Sequence, residues 1–193
     1  IVNGSGTFSN AITLSTKDIT LNGTAQLINT GTLNFTDNDK LTLNDNAVLT
    51  NNGVINLNQS NDFLENAANT RIQGTGTFNL SEPFFNNGTI APGNSIGDIT
   101  FNGDLTIAAG SSLEIEITGT SGDSDVLIIN GSLTIESGAT LDVSLISGIL
   151  DMGDHYDIIT WTTVSGLFST TNLPGLLSDW AKPTYGATAL NIE

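Results

Sequence analysis

The chain has 193 residues, with 20 acidic residues against 4 basic ones and a formal net charge of −16. So acidic a protein repels nucleic acid and anionic membrane surfaces, and we expect neither as a partner. The absence of cysteine excludes disulfides and thiolate metal sites, and no apolar run reaches the ~18 residues of a membrane-spanning helix.

The first half of the chain carries a repeat with a period near 22. Residues 21–35 (LNGTAQLINTGTLNF) and 43–57 (LNDNAVLTNNGVINL) align without a gap at seven of fifteen positions, and a weaker copy ends at residues 76–80. Short alternating strands with Gly or Asn at each corner are typical of one coil of a β-helix, because Gly and Asn tolerate positive φ. Asn-Gly hairpins are the alternative, but a repeat running in one direction favours parallel coils.

Asparagine is concentrated in this half, since 20 of the 23 asparagines lie at or before residue 102. They could be soluble turn residues, or they could stack into amide ladders between coils. Residues 58–70 interrupt the strand alternation and predict a short helical turn or a loop.

The clearest repeat lies in the second half of the chain. Residues 102–117 (NGDLTIAAGSSLEIEI) and 130–145 (NGSLTIESGATLDVSL) match at seven of sixteen positions. Each copy runs through a glycine turn into strict alternation, which indicates a strand with one dry and one wet face. A strand–turn–strand unit cannot bury its apolar face alone, so neighbouring units must stack as a solenoid.

Beyond residue 145 the repetition stops, and five large aromatic residues follow: Tyr156, Trp161, Phe168, Trp180 and Tyr185. A solenoid needs an atypical end to cover its last coil. We therefore predict one all-β solenoid domain over residues 1–193, with Asn-rich coils at 1–90, regular coils at 91–145 and an aromatic-rich C-terminal cap at 146–193. Roughly six coils would form a rod of about 30 Å.

Three segments carry a family resemblance: APGNSIGDITFNGDLTIAAGSSLEIEI, SDVLIINGSLTIESGATLDVSL and GDHYDIITWTTVSGLFS. In this order, over residues 86–193, they resemble the C-terminal passenger region of bacterial autotransporters and the autotransporter-associated β-strand repeats of other secreted surface proteins. The resemblance implies a right-handed parallel β-helix that serves as a stalk, scaffold or adhesive structure. It ends at Glu193, without the β-barrel translocator of that family. Since the chain begins at Ile1, we expect an exported bacterial protein, outside the cell or on its surface, from which a signal has been removed.

Two motifs suggest chemistry that their context does not favour. Residues 93–97 match the G-x-S-x-G nucleophile elbow around Ser95, but a strand rather than a helix is predicted to follow. The only available base is His155, which we interpret as an exposed turn histidine. Glu114 and Glu116 lie about 7 Å apart on one wet face and could form a glycosidase pair, although scarce basic residues favour a solvated surface.

Other candidate sites are weaker. Asp37 with Asp39, and Asp123 with Asp125, offer oxygen ligands in turns, so calcium is the one cofactor that we consider. Solvated turns are the simpler interpretation, and we predict no other metal or cofactor. Trp161 and Trp180 could stack on a glycan, or they could pack beneath the cap.

These features predict a non-enzymatic, extracellular structural protein that assembles head to tail into a filament or surface layer. The first strand begins without a cap, and an open coil is a template for another chain. We predict that Ile1, Val2 and Phe8 meet Leu190 and Ile192 of a second copy, or that a longer parent chain covers them. The alternative is an adhesin or glycan-binding module of a longer secreted protein, and a polysaccharide-active enzyme is the third hypothesis.

Overall fold

A computed structural model describes residues 1–175 and 183–193. The regular structure of these residues is β throughout, and none of them lies in a helix. From β1 to β21 the strands follow one another in groups of three, and each group forms one coil. In chain order they are β1 (Thr7–Asn10), β2 (Thr13–Thr16), β3 (Ile19–Leu21), β4 (Gln26–Asn29), β5 (Thr32–Phe35), β6 (Lys40–Leu43), β7 (Val48–Asn51), β8 (Val54–Leu57), β9 (Phe63–Asn66), β10 (Arg71–Gly74), β11 (Thr77–Leu80), β12 (Phe84–Asn86), β13 (Thr89–Pro92), β14 (Asp98–Asn102), β15 (Leu105–Ile107), β16 (Ser112–Thr118), β17 (Val126–Ile129), β18 (Ser132–Ile135), β19 (Thr140–Ser147), β20 (Tyr156–Thr160), β21 (Thr163–Gly166), β22 (Thr170–Asn172), β23 (Pro183–Tyr185) and β24 (Ala189–Ile192).

Every third strand belongs to the same sheet, so three sheets run along the solenoid. Sheet I has the order β1-β4-β7-β10-β13-β16-β19-β22, and sheet III contains β3, β6, β9, β12, β15, β18 and β21. Sheet II has the order β2-β5-β8-β11-β14-β17-β20-β24-β23. Pairing between coils is parallel, and only β24 pairs antiparallel, with β20 and β23. The predicted all-β parallel β-helix is confirmed.

The offsets of the sequence repeats match the offsets between paired residues in neighbouring coils. Leu33 pairs with Ile55 at an offset of 22, and Ile55 pairs with Phe78 at an offset of 23. The longer repeat places Glu114 opposite Asp142 at an offset of 28. The hydrophobic alternation fixes this register, because a slip of one residue would turn every core side chain toward solvent.

Two predicted boundaries are corrected. The described strands make seven complete coils rather than roughly six, since β20, β21 and β22 pair parallel with β17, β18 and β19. The solenoid therefore continues through residues 156–172, and the antiparallel pair β23–β24 begins only at Pro183. Residues 58–70 contain a strand, β9, between two turns rather than a helical turn or a loop. The alternation is hard to see in the sequence there because the buried strand end is polar, at Asn66.

The core is a set of apolar columns that pass through the coils. One column of sheet I is fully buried, and its members are Leu27, Leu49, Ile72, Ile90, Leu113 and Leu141. In the middle of the solenoid, the rings of Phe78 and Phe101 stack with centroids 4.8 Å apart, and Phe84 lies 5.5 Å from Phe101. Burying each such side chain stabilises the fold by about 1.5–3 kcal/mol.

Glycine is required where sheet I turns into sheet II, because successive coils approach closely there. A Cβ on Gly53 would lie 2.1 Å from the carbonyl oxygen of Gly31, and one on Gly31 would lie 2.3 Å from that of Ile12. This corner admits no side chain. Among the described residues, no helix has the length and apolarity needed to cross a membrane.

Candidate functional site

Buried asparagines form a ladder inside the solenoid at the ends of the sheet I strands. The Asn10 side-chain amide donates to Asn29 Oδ1 over 2.9 Å, and the Asn29 amide donates to Asn51 Oδ1 over 2.8 Å. All three are at most 4% exposed. In sheet III, Asn66 donates to Asn86 over 2.6 Å in the same way. An unpaired buried amide would be costly, so each rung depends on the next.

A longer ladder runs along the outer face of sheet II. Its amides donate toward the preceding coil over 2.6–2.7 Å, from Asn56 to Asn34, Asn79 to Asn56, Asn102 to Asn79 and Asn130 to Asn102. Both interpretations of the asparagine excess are found: these side chains stack into ladders, while Asn61 and Asn69 lie in turns with positive φ. The amides add hydrogen bonds parallel to the solenoid axis, beside those of the backbone.

An acidic groove lies on the outer face of sheet I, where β10, β13, β16, β19 and β22 run side by side. It encloses about 540 Å³. Arg71 forms an ion pair with Glu114 across the intervening strand β13, and Asn172 donates to Asp142 over 2.5 Å. Glu116 also lines the groove.

Asp125 closes the floor of this groove. It is 1% exposed, and its two carboxylate oxygens accept the backbone N–H groups of Gly97 and Glu116 over 2.9 and 2.8 Å. Burial raises the pKa of its carboxyl group to about 7, against the lowering effect of these two hydrogen bonds, and the nearby charges of Glu116 and Asp98 raise it further. Asp125 thus links three chain segments.

The groove does not bring Ser95 together with His155. Ser95 is exposed at the groove edge, and it is followed by the strand β14, as predicted, instead of the helix of a nucleophile elbow. His155 is not among the groove-lining residues. Its ring lies 3.1 Å from Asp157 and 3.3 Å from Glu193.

Three of the four calcium candidates, Asp39, Asp123 and Asp125, accept hydrogen bonds from protein groups. Asp39 is 5% exposed and accepts the N–H of Thr36 over 2.9 Å. Asp123 accepts the Thr118 hydroxyl over 2.7 Å, and Asp37 is exposed. Within the described part of the chain, no group of three or more histidine or acidic residues could hold a metal ion. Asp39 and Asp123 therefore cap turns, whereas Asp125 bridges the backbone of Gly97 and Glu116.

Trp161 is buried, which excludes the glycan contact among its two interpretations. The side chain is 4% exposed, its indole N–H donates to the Ala187 carbonyl over 3.1 Å, and its ring stacks with Tyr185. The packing interpretation therefore holds for Trp161. Trp180, the second glycan candidate, lies outside the described residues.

The predicted interface between copies is also corrected at its C-terminal side. Leu190 and Ile192 are fully buried, and their strand β24 is paired on both edges. They belong to the core and are not at a free edge. At the opposite end, Ile1 is 85% exposed, while Val2 and Phe8 are partly buried against the core.

Comparison with models of known protein families and with curated proteins finds no match. The resemblance to autotransporter passengers therefore stays a prediction from the residues quoted above. Function has to be inferred from the geometry of the ladders, the groove and the ends.

Sequence reasoning missed two sets of residues. It treated Arg71 only as one of four basic residues, whereas its ion pair with Glu114 spans two coils. It also did not single out Phe85, which is 57% exposed on sheet III. The sequence repeat does not locate the ion pair, because the step from Arg71 to Thr89 in the next coil is 18 residues and the step from Thr89 to Ser112 is 23.

Proposed function

We propose that this chain is a structural β-solenoid, a rigid non-enzymatic element of an extracellular filament or surface layer. The observation that carries the proposal is the continuity of the stacking. The apolar columns, the asparagine ladders and three hydrogen-bonded sheets pass from coil to coil through the described chain. Each coil contacts mainly its neighbours, so the fold is an extended array whose length grows with the number of coils.

The groove supports a structural role over a catalytic one. Five of its charged and amide groups bond to another strand or loop: Arg71, Glu114, Asp125, Asp142 and Asn172. Groups held in this way stabilise the stacking. A general acid or base would instead need reach toward a substrate.

The first coil offers a surface on which another coil can stack. Among the described residues, strands β1 and β2 are each paired on one side only, and the outer edge of β3 carries a single bridge, from Val2 to Leu21. Ile1 and Ile12 expose 85% and 68% of their surface at this end. Free strand edges with an open apolar core pair readily with another chain. A second copy stacked head to tail would satisfy them, and a contact of this heterologous type propagates into a filament.

The tail surface for such a contact is formed by β21 and β22, which are the last strands of sheets III and I. This replaces the predicted contact at Leu190 and Ile192. The net charge of −16 would keep the sides of neighbouring rods apart while their ends pair.

The test is electron microscopy and sedimentation of the protein with either Ile12→Lys or Ile149→Lys. Both isoleucines are about 70% exposed, so the two variants carry the same charge change on matched surfaces. Only Ile12 lies at the first coil. We expect fibres one solenoid wide for the unaltered protein and for Ile149→Lys, and monomers for Ile12→Lys. Dispersed rods of the unaltered protein at every concentration would contradict head-to-tail assembly through this end.

A further inference from the structure

A third asparagine ladder runs along the corner that follows sheet III, and it is broken. The Asn22 amide donates to Asn3 Oδ1 over 2.8 Å, and the Asn44 amide donates to Asn22 Oδ1 over 3.0 Å. The next coil places Ala67 at the same corner, since its N–H donates to Leu43 O, just as that of Asn44 donates to Leu21 O. One coil later, asparagine returns as Asn87.

The missing rung leaves two groups without their ladder partners. No hydrogen bond within the described chain uses Asn44 Oδ1, nor the side chain of Asn87, in contrast to the Asn22 amide, which is bonded on both sides. Asn44 is half-buried and Asn87 is exposed. They are separated by two coils, or about 10 Å, which is the spacing that one further amide would bridge.

A cavity of about 470 Å³ lies over this gap, and Asn44, Ala67 and Asn87 all line it. Its wall carries two aromatic rings, Phe63 and Phe85, and Phe85 is 57% exposed. Together with Pro83, the two rings form one continuous apolar wall beside polar groups.

Charged groups flank the aromatic rings. The Glu65 carboxylate, which also lines the cavity, pairs with Lys40 over 3.0 Å and accepts the Thr42 hydroxyl over 3.1 Å. The Lys40 ammonium lies 5.5 Å from the centre of the Phe63 ring. The cavity thus combines an apolar platform with a few fixed polar groups, as small-molecule sites do.

We propose that this cavity binds an N-acetylhexosamine unit of a glycan, whose acetamido group takes the place of the missing rung. The acetamido N–H would donate to Asn44 Oδ1, and its carbonyl oxygen would accept from the Asn87 amide, which reproduces the donor direction of the ladder. The sugar ring would lie on Phe85. An amide is required because the gap presents an acceptor on one side and a donor on the other, and the apolar face of a pyranose suits the exposed ring. This site does not depend on the proposed structural function.

The experiment titrates the full chain with tri-N-acetylchitotriose. Binding is measured by calorimetry and by the NMR signals of the side-chain amides. Cellotriose, which has the same backbone linkage and no acetamido group, is the matched ligand control. We expect saturable binding of the acetylated trimer and at least tenfold weaker binding of cellotriose.

Ala67→Asn tests the mechanism directly, because it restores the rung. We expect this variant to remain folded and to lose at least tenfold in affinity, and Phe85→Ser to lose a similar amount through the platform. Asn130→Ala, at the last rung of the sheet II ladder, should bind like the unaltered chain. Equal binding by Ala67→Asn, equal binding of cellotriose, or no binding of the acetylated trimer would each overturn the proposal.

Discussion

The Asn29 amide nitrogen lies 2.8 Å from Asn51 Oδ1, and neither side chain is exposed. Within this inner ladder each amide donates toward the following coil, whereas the amides of the outer ladder, such as Asn56 to Asn34, donate toward the preceding coil. The two sets of side-chain dipoles therefore run in opposite directions along the solenoid axis. Both ladders bind neighbouring coils together, but only the inner one is shielded from water.

Asn29→Ala should destabilise the chain by about 2–4 kcal/mol, since it leaves buried polar groups unpaired and opens a small cavity. Asn29 also donates to the carbonyl oxygens of Gly31 and Val54, both over 3.2 Å. The control is Asn56→Ala in the half-buried outer ladder, where water can replace the lost partner and about 1 kcal/mol is expected. Urea unfolding followed by circular dichroism measures both changes, and equal losses would contradict the shielding argument.

Gly53→Ala should be among the most damaging single-methyl changes in the chain. The new Cβ would lie 2.1 Å from the Gly31 carbonyl oxygen, so two coils would have to separate at this corner. We expect a loss of about 3 kcal/mol or more, from steric strain at a position that no rotamer can relieve.

The matched change is Gly110→Ala. Gly110 has a φ of +82°, and no atom lies near the position that an added Cβ would take. The substitution therefore introduces backbone strain without a clash, and we expect a loss of stability of about 1 kcal/mol. Thermal unfolding of the two variants separates the effects. A Gly53→Ala variant as stable as Gly110→Ala would show that the corner can widen.

The sequence was sufficient to predict the fold, because the repeat offsets of 22 and 28 are the register itself. It failed at the C-terminal side because β20 and β21 keep the coil geometry without keeping the repeated residues. There, Ile159 takes the position of Leu127 in the preceding coil, but at an offset of 32 instead of 28. An alternating pattern reveals which side chains point inward, but a polar residue at an inward position, such as Asn66, reads as a loop until its ladder partner is known.

The candidate sites were harder to predict for the same reason. Glu114 and Glu116 were visible as a pair on one strand, but the partner of Glu114 is Arg71, two coils away. Trp161 is of a residue type that is common in binding sites, and only its contacts with Ala187 and Tyr185 show that it packs inward. Contacts of this kind depend on how coils stack.

Asp125→Asn should change how stability depends on pH. The pKa of the folded-state carboxyl is raised to about 7 from an ordinary value of 3.8, so its stabilising contribution is fully present below about pH 4 and is lost as the pH rises through 7. The asparagine amide also cannot accept both N–H groups of Gly97 and Glu116, so the variant should be less stable at acidic pH. Between pH 4 and 7 this deficit should shrink, by an amount on the order of 2 kcal/mol.

The measurement is urea unfolding at a series of pH values, with Asp98→Asn as the control. Asp98 is exposed and close enough to contribute to the raised pKa of Asp125. The control should therefore lower that pKa slightly and leave the pH dependence in place. A constant difference between Asp125→Asn and the unaltered chain across this range would contradict a raised pKa.

Tyr156→Phe removes a buried hydroxyl that donates to the Thr118 carbonyl oxygen over 2.7 Å. Burial, reinforced by the charge of Asp154, raises the pKa of Tyr156 to about 12, and burial also raises the pKa of Tyr185. The stabilisation from neutral Tyr156 is thus complete below pH 10 and is lost as the pH rises toward 12. The variant should lose about 1–2 kcal/mol of stability at neutral pH. Between pH 10 and 12 its free energy of unfolding should fall less than that of the unaltered chain, because phenylalanine does not ionise.

The measurement is the tyrosinate absorbance of the unaltered chain. Both tyrosines should ionise above pH 10 in the folded chain and near pH 10 in denaturant. Ionisation of two tyrosines near pH 10 in the folded chain would contradict this account.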